Sequence, residues 1–394
     1  MGADYEAEAW VLRAGGHPDA TPGEALVRTR IRLPGLEVGE ALVEPVIGAW
    51  EANLTHAITR SPIDICRARG EDQVVLGNLG IVRVLEVRPG PGDEPLEAGA
   101  LCLVLPFGVV DRHGYAELIH AYDCPGTYGL LARLSKTRVR NLLPMIDSRL
   151  SHEQWASYGR YFTAWDNWNQ AFACWRTQIP DDPPGDHLVM AWGGGVSVAE
   201  LTLARRAGFR VAMTAGSDER LAFLEAQGIL AIDRRRFPGL SHSRVGSDPA
   251  LRRRHNESLA AFGALVDDLT DGEGAAIVVD NIGETLLDAT LRVLAREGVV
   301  STCGWKAGMR IPLLRGAEAI ARHIHVHTHA WRLQDSPQIR DVIEAGGWIA
   351  PEGASVCYGF DDIPDLARAY AAGEIDSYFP LFVNEAGAGL ATAT

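Results

Sequence analysis

The sequence predicts an α/β chain in which a β-rich, barrel-like unit is joined to a doubly wound parallel sheet. Three observations predict it. Up to about residue 130, short β-type runs (ALVRTRIRL, GEALVEPVI, QVVLGNLGIVRVLEV, GALCLVLPF) alternate with Gly/Pro turns such as RPGPGDEP, the texture of a small barrel. After PDDPPGD the order becomes strand, glycine turn, helix, strand: HLVMA, WGGGVS, VAELTLARRAGF, RVAMTAG. Strands alternating with helices of that length build a parallel sheet. The helix ERLAFLEAQGI and the strands LAIDRRRF, AAIVVDNIG, GVVSTCGW and HIHVHTHAW continue it, and from about residue 333 the chain returns to mixed helix and strand. The expected boundaries are 1–164, 165–332 and 333–394.

Length and composition agree. With 394 residues, 47% of them apolar, the chain fills two ordinary cores. A net charge of −14 and the lack of any basic cluster beyond Arg234 to Arg236 and Arg252 to Arg254 exclude a nucleic-acid footprint. Those arginine runs read as solvated faces. No stretch approaches the roughly 18–20 apolar residues of a membrane span, and MGADYEAEAW has neither a basic nor an apolar leader region. A cytoplasmic protein without membrane partners is expected. Cys66, Cys102, Cys124, Cys174, Cys303 and Cys357 stand singly, at no spacing that holds zinc, so reduced thiols and no metal are expected. Lysine occurs only at Lys136 and Lys306.

Between these regions, Trp165, Trp168, Phe172 and Trp175 recur at helical spacing. The pattern predicts a helix whose aromatic stripe packs a core.

The turn AWGGGVSVAE carries the first functional signal. A phosphate-binding turn needs glycine where the backbone turns sharply, where it approaches pyrophosphate, and where helix meets strand. Gly193, Gly194 and Gly195 meet the first two needs. The third falls on Ser197, beyond Val196, where a hydroxyl is available to donate to phosphate. A tight turn without ligand is the plain alternative; the strand–turn–helix setting favours cofactor binding. About 20 residues on, where an NAD-binding turn carries a carboxylate, the strand ends in Ala215, Gly216 and Ser217 with Arg220 one turn later. A hydroxyl beside a guanidinium suits a 2'-phosphate, so NADPH is expected. Asp218 is the one acidic group that would turn towards a ribose instead.

In order, the β-rich start, HGYAELIH, LSHEQWA with TAW, the glycine turn, VVDNIGE, REGVVSTCGW and GFDDIPDLARAYAAGEI resemble the medium-chain dehydrogenase/reductase superfamily over nearly the whole chain. The roughly 35-residue insertion containing SDPALRRRHNESLAAFG is similar to its crotonyl-CoA carboxylase/reductase branch. The resemblance implies a GroES-like catalytic domain, formed by both chain ends, around a Rossmann domain, in a homodimer acting on a small-molecule or thioester substrate. It also implies cofactor contacts at Thr163, Cys303 and Gly304. Zinc dehydrogenases of the superfamily place ligands where this chain has Asn53, Asn78 and Leu79, and no cysteine precedes TAW, where Arg160, Tyr161 and Phe162 stand. A zinc-free site follows. Enoyl reductases of the branch carry an Asn-Tyr pair where this chain has Asn53 and Leu54, and the Phe-Glu pair of carboxylating enzymes has no counterpart in LPFGVVDRHGYAEL. Carboxylation is not expected.

Hydride transfer without metal needs a group that polarises the acceptor or protonates the product anion. His56, two residues beyond Leu54, has the right intrinsic pKa. Its alternative is a surface or supporting histidine. Tyr161, Asp166 and Asn78 remain candidates beside it. His323, His325, His327 and His329 alternate, so one strand would set all four on one face. His327 or His329 is a further candidate proton donor, while a metal there lacks accompanying carboxylate or cysteine. The expected function is zinc-independent, NADPH-dependent reduction of an activated double bond in specialised metabolism. A carbonyl or imine reductase, a reductive cyclase, and a non-catalytic cofactor-binding protein are the alternatives.

Overall fold

A computed structural model describes residues 4–16, 20–241, 248–328 and 331–384. The chain divides into two compact units, one of residues 1–162 with 331–394 and the other of residues 163–330.

The first unit opens with β1 (Tyr5–Arg13), β2 (Leu26–Leu33), β3 (Glu40–Ala49), β4 (Gln73–Val74), β5 (Gly80–Arg88), β6 (Leu101–Val104), β7 (Phe107–Val110), β8 (Ala116–Ile119), β9 (Ser135–Arg138) and β10 (Leu142–Pro144). One sheet has the order β2-β1-β4, a second runs β10-β6-β5-β3 with β9 also on β3, and β7 pairs β8. Their inward faces form one core that includes Val11, Leu33, Val43, Trp50 and Val82. QVVLGNLGIVRVLEV does not form one strand: Gly77 sits at φ +99°, and β4 and β5 flank a buried loop that holds Asn78. Only short helices interrupt the strands, α1 (Ala52–Ile58) and α2 (Ile65–Arg69).

Next come α3 (His152–Ala156) and α4 (Tyr158–Gln178). Ser151 and Gln154 close a capping box at the start of α3, which satisfies two of the otherwise orphaned donors there. Within α4, Trp168 and Trp175 are buried, as the aromatic spacing predicts. Their rings meet Phe209 at 5.7 and 4.9 Å.

The second unit is a parallel α/β sheet. It comprises β11 (Leu188–Trp192), α5 (Gly195–Arg206), β12 (Arg210–Ala215), α6 (Asp218–Ala226), β13 (Leu230–Asp233), α7 (Pro249–Leu269), β14 (Ala275–Asp280), α8 (Leu287–Val293), β15 (Leu294–Thr302) and β16 (His325–Thr328). The order is β13-β12-β11-β14-β15-β16, and every pairing is parallel. β11 and β14 are buried along their whole length, as strands covered on both faces must be. Strand order reverses direction at β11/β14, so the loops beyond their C-terminal ends form the crevice where such sheets take ligands.

The histidine strand differs from expectation. β16 contains only His325 and His327. His323 precedes it at φ +53°, tied by its N–H to Ala319 O at the end of a helical turn, and His329 lies outside the described residues. A single four-histidine face is therefore not what the described residues build.

The chain then returns to the first unit through α9 (Ser336–Gly346), β17 (Ser355–Gly359), α10 (Ile363–Ala372) and β18 (Phe379–Val383). β18 completes the larger sheet, parallel to β17 and antiparallel to β3 with Leu381 opposite Ala49.

Candidate functional site

The predicted residues fall on both units. In the second, β11 ends at Trp192 and the chain turns at Gly193, whose φ of +140° few residues other than glycine adopt. A Cβ at Gly193 would also lie 2.5 Å from Ser197 Oγ, whereas one at Gly194 would meet nothing within 4 Å. The turn is thus closed inwards and open outwards. Gly195 starts α5, and Val196 follows on its first turn, leaving helix N–H groups aimed at whatever lies over Gly194.

Ser197 corrects the sequence reading. Its hydroxyl donates to Trp192 O at 3.0 Å and accepts from Asn281 Nδ2 at 2.9 Å. The hydroxyl faces inwards and ties helix to strand, so it is not a phosphate donor. Asn281, which sequence reasoning missed, is the hub of this crevice. Its Oδ1 accepts from the Cys303 N–H at 3.0 Å and lies 3.2 Å from Cys303 Sγ. A Cβ at Gly304 would sit 2.5 Å from Asn281 O, so the predicted Cys303–Gly304 pair and the glycine turn are held by one residue.

At the end of β12, Ser217 caps α6 by accepting from Arg220 N at 3.4 Å. Asp218 is engaged elsewhere, 2.5 Å from Arg235. Two cations missed by the sequence reading join Arg220 here. The Arg234 guanidinium lies over Gly216, where a Cβ would sit 2.3 Å from Arg234 Nε, while the arginine run is exposed as read. The Lys306 ammonium has its pKa lowered, first by desolvation and then by the charges of Arg220 and Arg234. Both effects disfavour the protonated ammonium. The sequence signal for Lys306 was its rarity. These residues fit a phosphorylated dinucleotide: an open glycine turn for pyrophosphate, and the Arg234 guanidinium over Gly216 for a further phosphate. Thr163, on α4, is buried.

In the first unit, α1 carries Asn53 and His56 one turn apart, with Leu54 buried between them. The Ala49 N–H donates to Leu79 O at 3.0 Å, which sets the Asn78 loop beside the entry to α1. Asn53 Oδ1 and both polar atoms of Asn78 are buried without a hydrogen-bond partner. Buried carboxamides in that state are rare, and a ligand is one explanation for them. Tyr161 is buried, its ring 5.1 Å from Trp348 and 6.3 Å from Phe379. Arg160 is held by Trp50 O at 2.8 Å and by Glu51 at 3.2 Å. Burial pushes the Glu51 carboxyl up, and Arg160 opposes that. His327, in the second unit, has its pKa lowered by desolvation, with Nδ1 3.3 Å from Thr328 O. Asp166 is buried on α4.

At Asn53, Asn78 and Leu79, where the resemblance places zinc ligands, the side chains are not ones that bind zinc.

Residues 195–345 match the zinc-binding dehydrogenase family. A zinc-type alcohol dehydrogenase-like protein of Schizosaccharomyces pombe is 28% identical over 141 residues, 36% of this chain and 34% of that protein. A phenolphthiocerol/phthiocerol polyketide synthase polypeptide of Mycobacterium tuberculosis is 23% identical over 310 residues, 74% of this chain. The chain thus spans only 34% and 12% of the lengths of these relatives. Among solved structures, the 2-octenoyl-CoA carboxylase reductase CinF, in complex with NADP and 2-octenoyl-CoA, superposes with a TM-score of 0.78 at 20% identity, covering 98% of this chain and 90% of that one. The crotonyl-CoA carboxylase/reductase AntE in complex with NADP gives 0.74 at 20% identity, covering 96% and 94%. Residues 195–345 thus carry a zinc-binding dehydrogenase sequence, and the chain has the fold of these solved enzymes.

Proposed function

We propose that this chain is a zinc-independent, NADPH-dependent reductase of an activated double bond, in an α,β-unsaturated thioester or conjugated intermediate of specialised metabolism, and that it does not carboxylate. The observation that carries the reading is the Arg234 guanidinium laid over Gly216 at the end of β12, with the charges of Arg220 and Arg234 both felt by Lys306. These cations would hold the 2'-phosphate. Gly193, Gly194, Gly195 and Val196 would present backbone to the pyrophosphate, with Thr163, Cys303 and Gly304 towards the nicotinamide. The bound dihydronicotinamide supplies a hydride to the electrophilic carbon.

On the substrate side, the unpartnered Asn78 Nδ2 is the donor suited to a thioester carbonyl oxygen, with Asn53 beside it. His56 takes the role of proton donor, because the tyrosine position of enoyl reductases is the buried Leu54 and Tyr161 is packed between aromatic rings. His329 is the remaining candidate for that proton. Resemblance to the branch supports a cytoplasmic homodimer acting on a small-molecule or thioester substrate. That same Leu54 favours a second reading, reduction of a carbonyl or imine, or reductive cyclisation, where the proton goes to a heteroatom.

The test is a fluorescence titration with NADPH and NADH, followed by turnover on an enoyl-CoA and on a matched ketone. NADPH-selective binding with enoyl turnover is expected. Ketone turnover alone would replace the first reading with the second, and binding of neither nucleotide would end both.

A further inference from the structure

Beneath the glycine turn lies a buried polar cluster that the reading above does not use. Glu200 on α5 is fully buried, and the groups acting on it are the carboxamides of Asn167 on α4 and Asn281 after β14. Asn167 Nδ2 donates to Glu200 Oε1 at 2.9 Å. The other oxygens of this pair, Glu200 Oε2 and Asn167 Oδ1, are both buried and neither meets a donor. An ionised carboxylate would leave a charge and two acceptors unsatisfied in the interior. One proton on the Glu200 carboxyl removes that charge. Burial acts in the same direction, pushing the Glu200 pKa up to about 8.

Asn281 carries this cluster to the crevice. The same carboxamide that acts on Glu200 donates to Ser197 at the glycine turn and accepts from Cys303. We propose that Glu200 is a positioning residue of the nucleotide site, held as a neutral carboxylic acid against Asn167, and that its ionisation at alkaline pH displaces Asn281 and weakens dinucleotide binding. The proposal rests on the cofactor reading above.

Other titratable groups on the elements packed against α5 are accounted for. Asp280, at the end of β14, accepts from the N–H groups of Ile282 and Gly283 and from the Thr290 hydroxyl. Arg210 at the start of β12 donates to Leu269 O and Asp186 O, and β11 carries no ionisable side chain. Asp166 shares α4 with Asn167, and the Cys303 thiol lies against Asn281.

The experiment measures the NADPH dissociation constant from about pH 6 to about pH 9.5 for the wild type, Glu200→Gln and Cys303→Ala. Glutamine keeps an acceptor for Asn167 Nδ2 and cannot ionise. The wild type and Cys303→Ala lose affinity above about pH 8, by roughly tenfold per pH unit at the steepest, while Glu200→Gln stays flat. An equal alkaline loss in Glu200→Gln, a flat wild type, or a loss abolished by Cys303→Ala would overturn the proposal while leaving the cofactor reading intact. Absence of NADPH binding at every pH would instead remove the cofactor reading and this linkage with it. Should Glu200→Gln fail to fold, unliganded wild-type stability serves: the buried acid requires a decline between about pH 6.5 and about pH 8, and a level profile there overturns it.

Discussion

Arg234 shows how little of a site can be carried by residue type alone. In sequence it belongs to a run of three arginines, all of which lie exposed. Only the return of the chain after β13 lays Arg234 over Gly216, a tertiary fact that no local spacing encodes. The glycine turn, by contrast, was legible because its conformational demand is local. Arg234→Ala and Lys306→Ala are each expected to weaken NADPH binding roughly ten- to a hundredfold, the worth of a charge-assisted hydrogen bond, and to leave NADH nearly unchanged. Parallel losses for both nucleotides would separate these cations from phosphate recognition. Ser197 carries a different expectation. Ser197→Ala removes the hydroxyl that joins the Asn281 Nδ2 to the Trp192 carbonyl, while that carbonyl keeps the Asn281 N–H, so urea unfolding should report a loss of about 1 kcal/mol. A neutral result would mean that the turn does not depend on that tie.

At the scale of elements, α7 is the instructive case. Its sequence is legible as an insertion, and Asp248 with Pro249 marks its start, the aspartate accepting from Ala250 N. Its burial is not legible, because charged residues dominate its first turns. Phe262 and Val266 are nevertheless fully buried. The Phe262 ring lies 5.0 Å from Trp192 and 5.2 Å from Phe237, so the helix packs against the residue that ends β11 and begins the glycine turn. His255 on the same helix is buried, with Nδ1 3.0 Å from Gly239 O and Nε2 3.5 Å from Asp288. The insertion is therefore part of the core of its unit. Phe262→Ala is expected to cost about 3–5 kcal/mol, the range for a fully buried phenylalanine. A loss below about 1 kcal/mol in thermal or urea unfolding would show instead that α7 is a dispensable surface addition.

For the whole molecule, two buried titratable groups give stability a pH dependence with limbs of opposite sign. His120, in the first unit, is pushed down to about 4 mainly by desolvation. Its Nε2 lies 3.1 Å from Tyr128 O, and a carbonyl only accepts, so the native ring is neutral with its proton on Nε2. Between the ordinary histidine pKa of about 6.5 and about 4 the unfolded chain holds the extra proton, so stability falls as the pH drops through that window. Glu200, in the second unit, works the other way. Its native pKa of about 8 stands above the ordinary glutamate value of 4.5, so the native state holds the extra proton and stability falls as the pH rises through that window. Each slope is at most about 1.4 kcal/mol per pH unit. Where the windows overlap they oppose each other, which leaves the acid loss most visible below about pH 4.5 and the alkaline loss most visible between about 6.5 and 8. Urea midpoints across pH should show His120→Gln without the first loss and Glu200→Gln without the second. If both variants kept the wild-type profile, neither buried group would set the pH optimum, and exposed charges on this acidic chain would have to account for it.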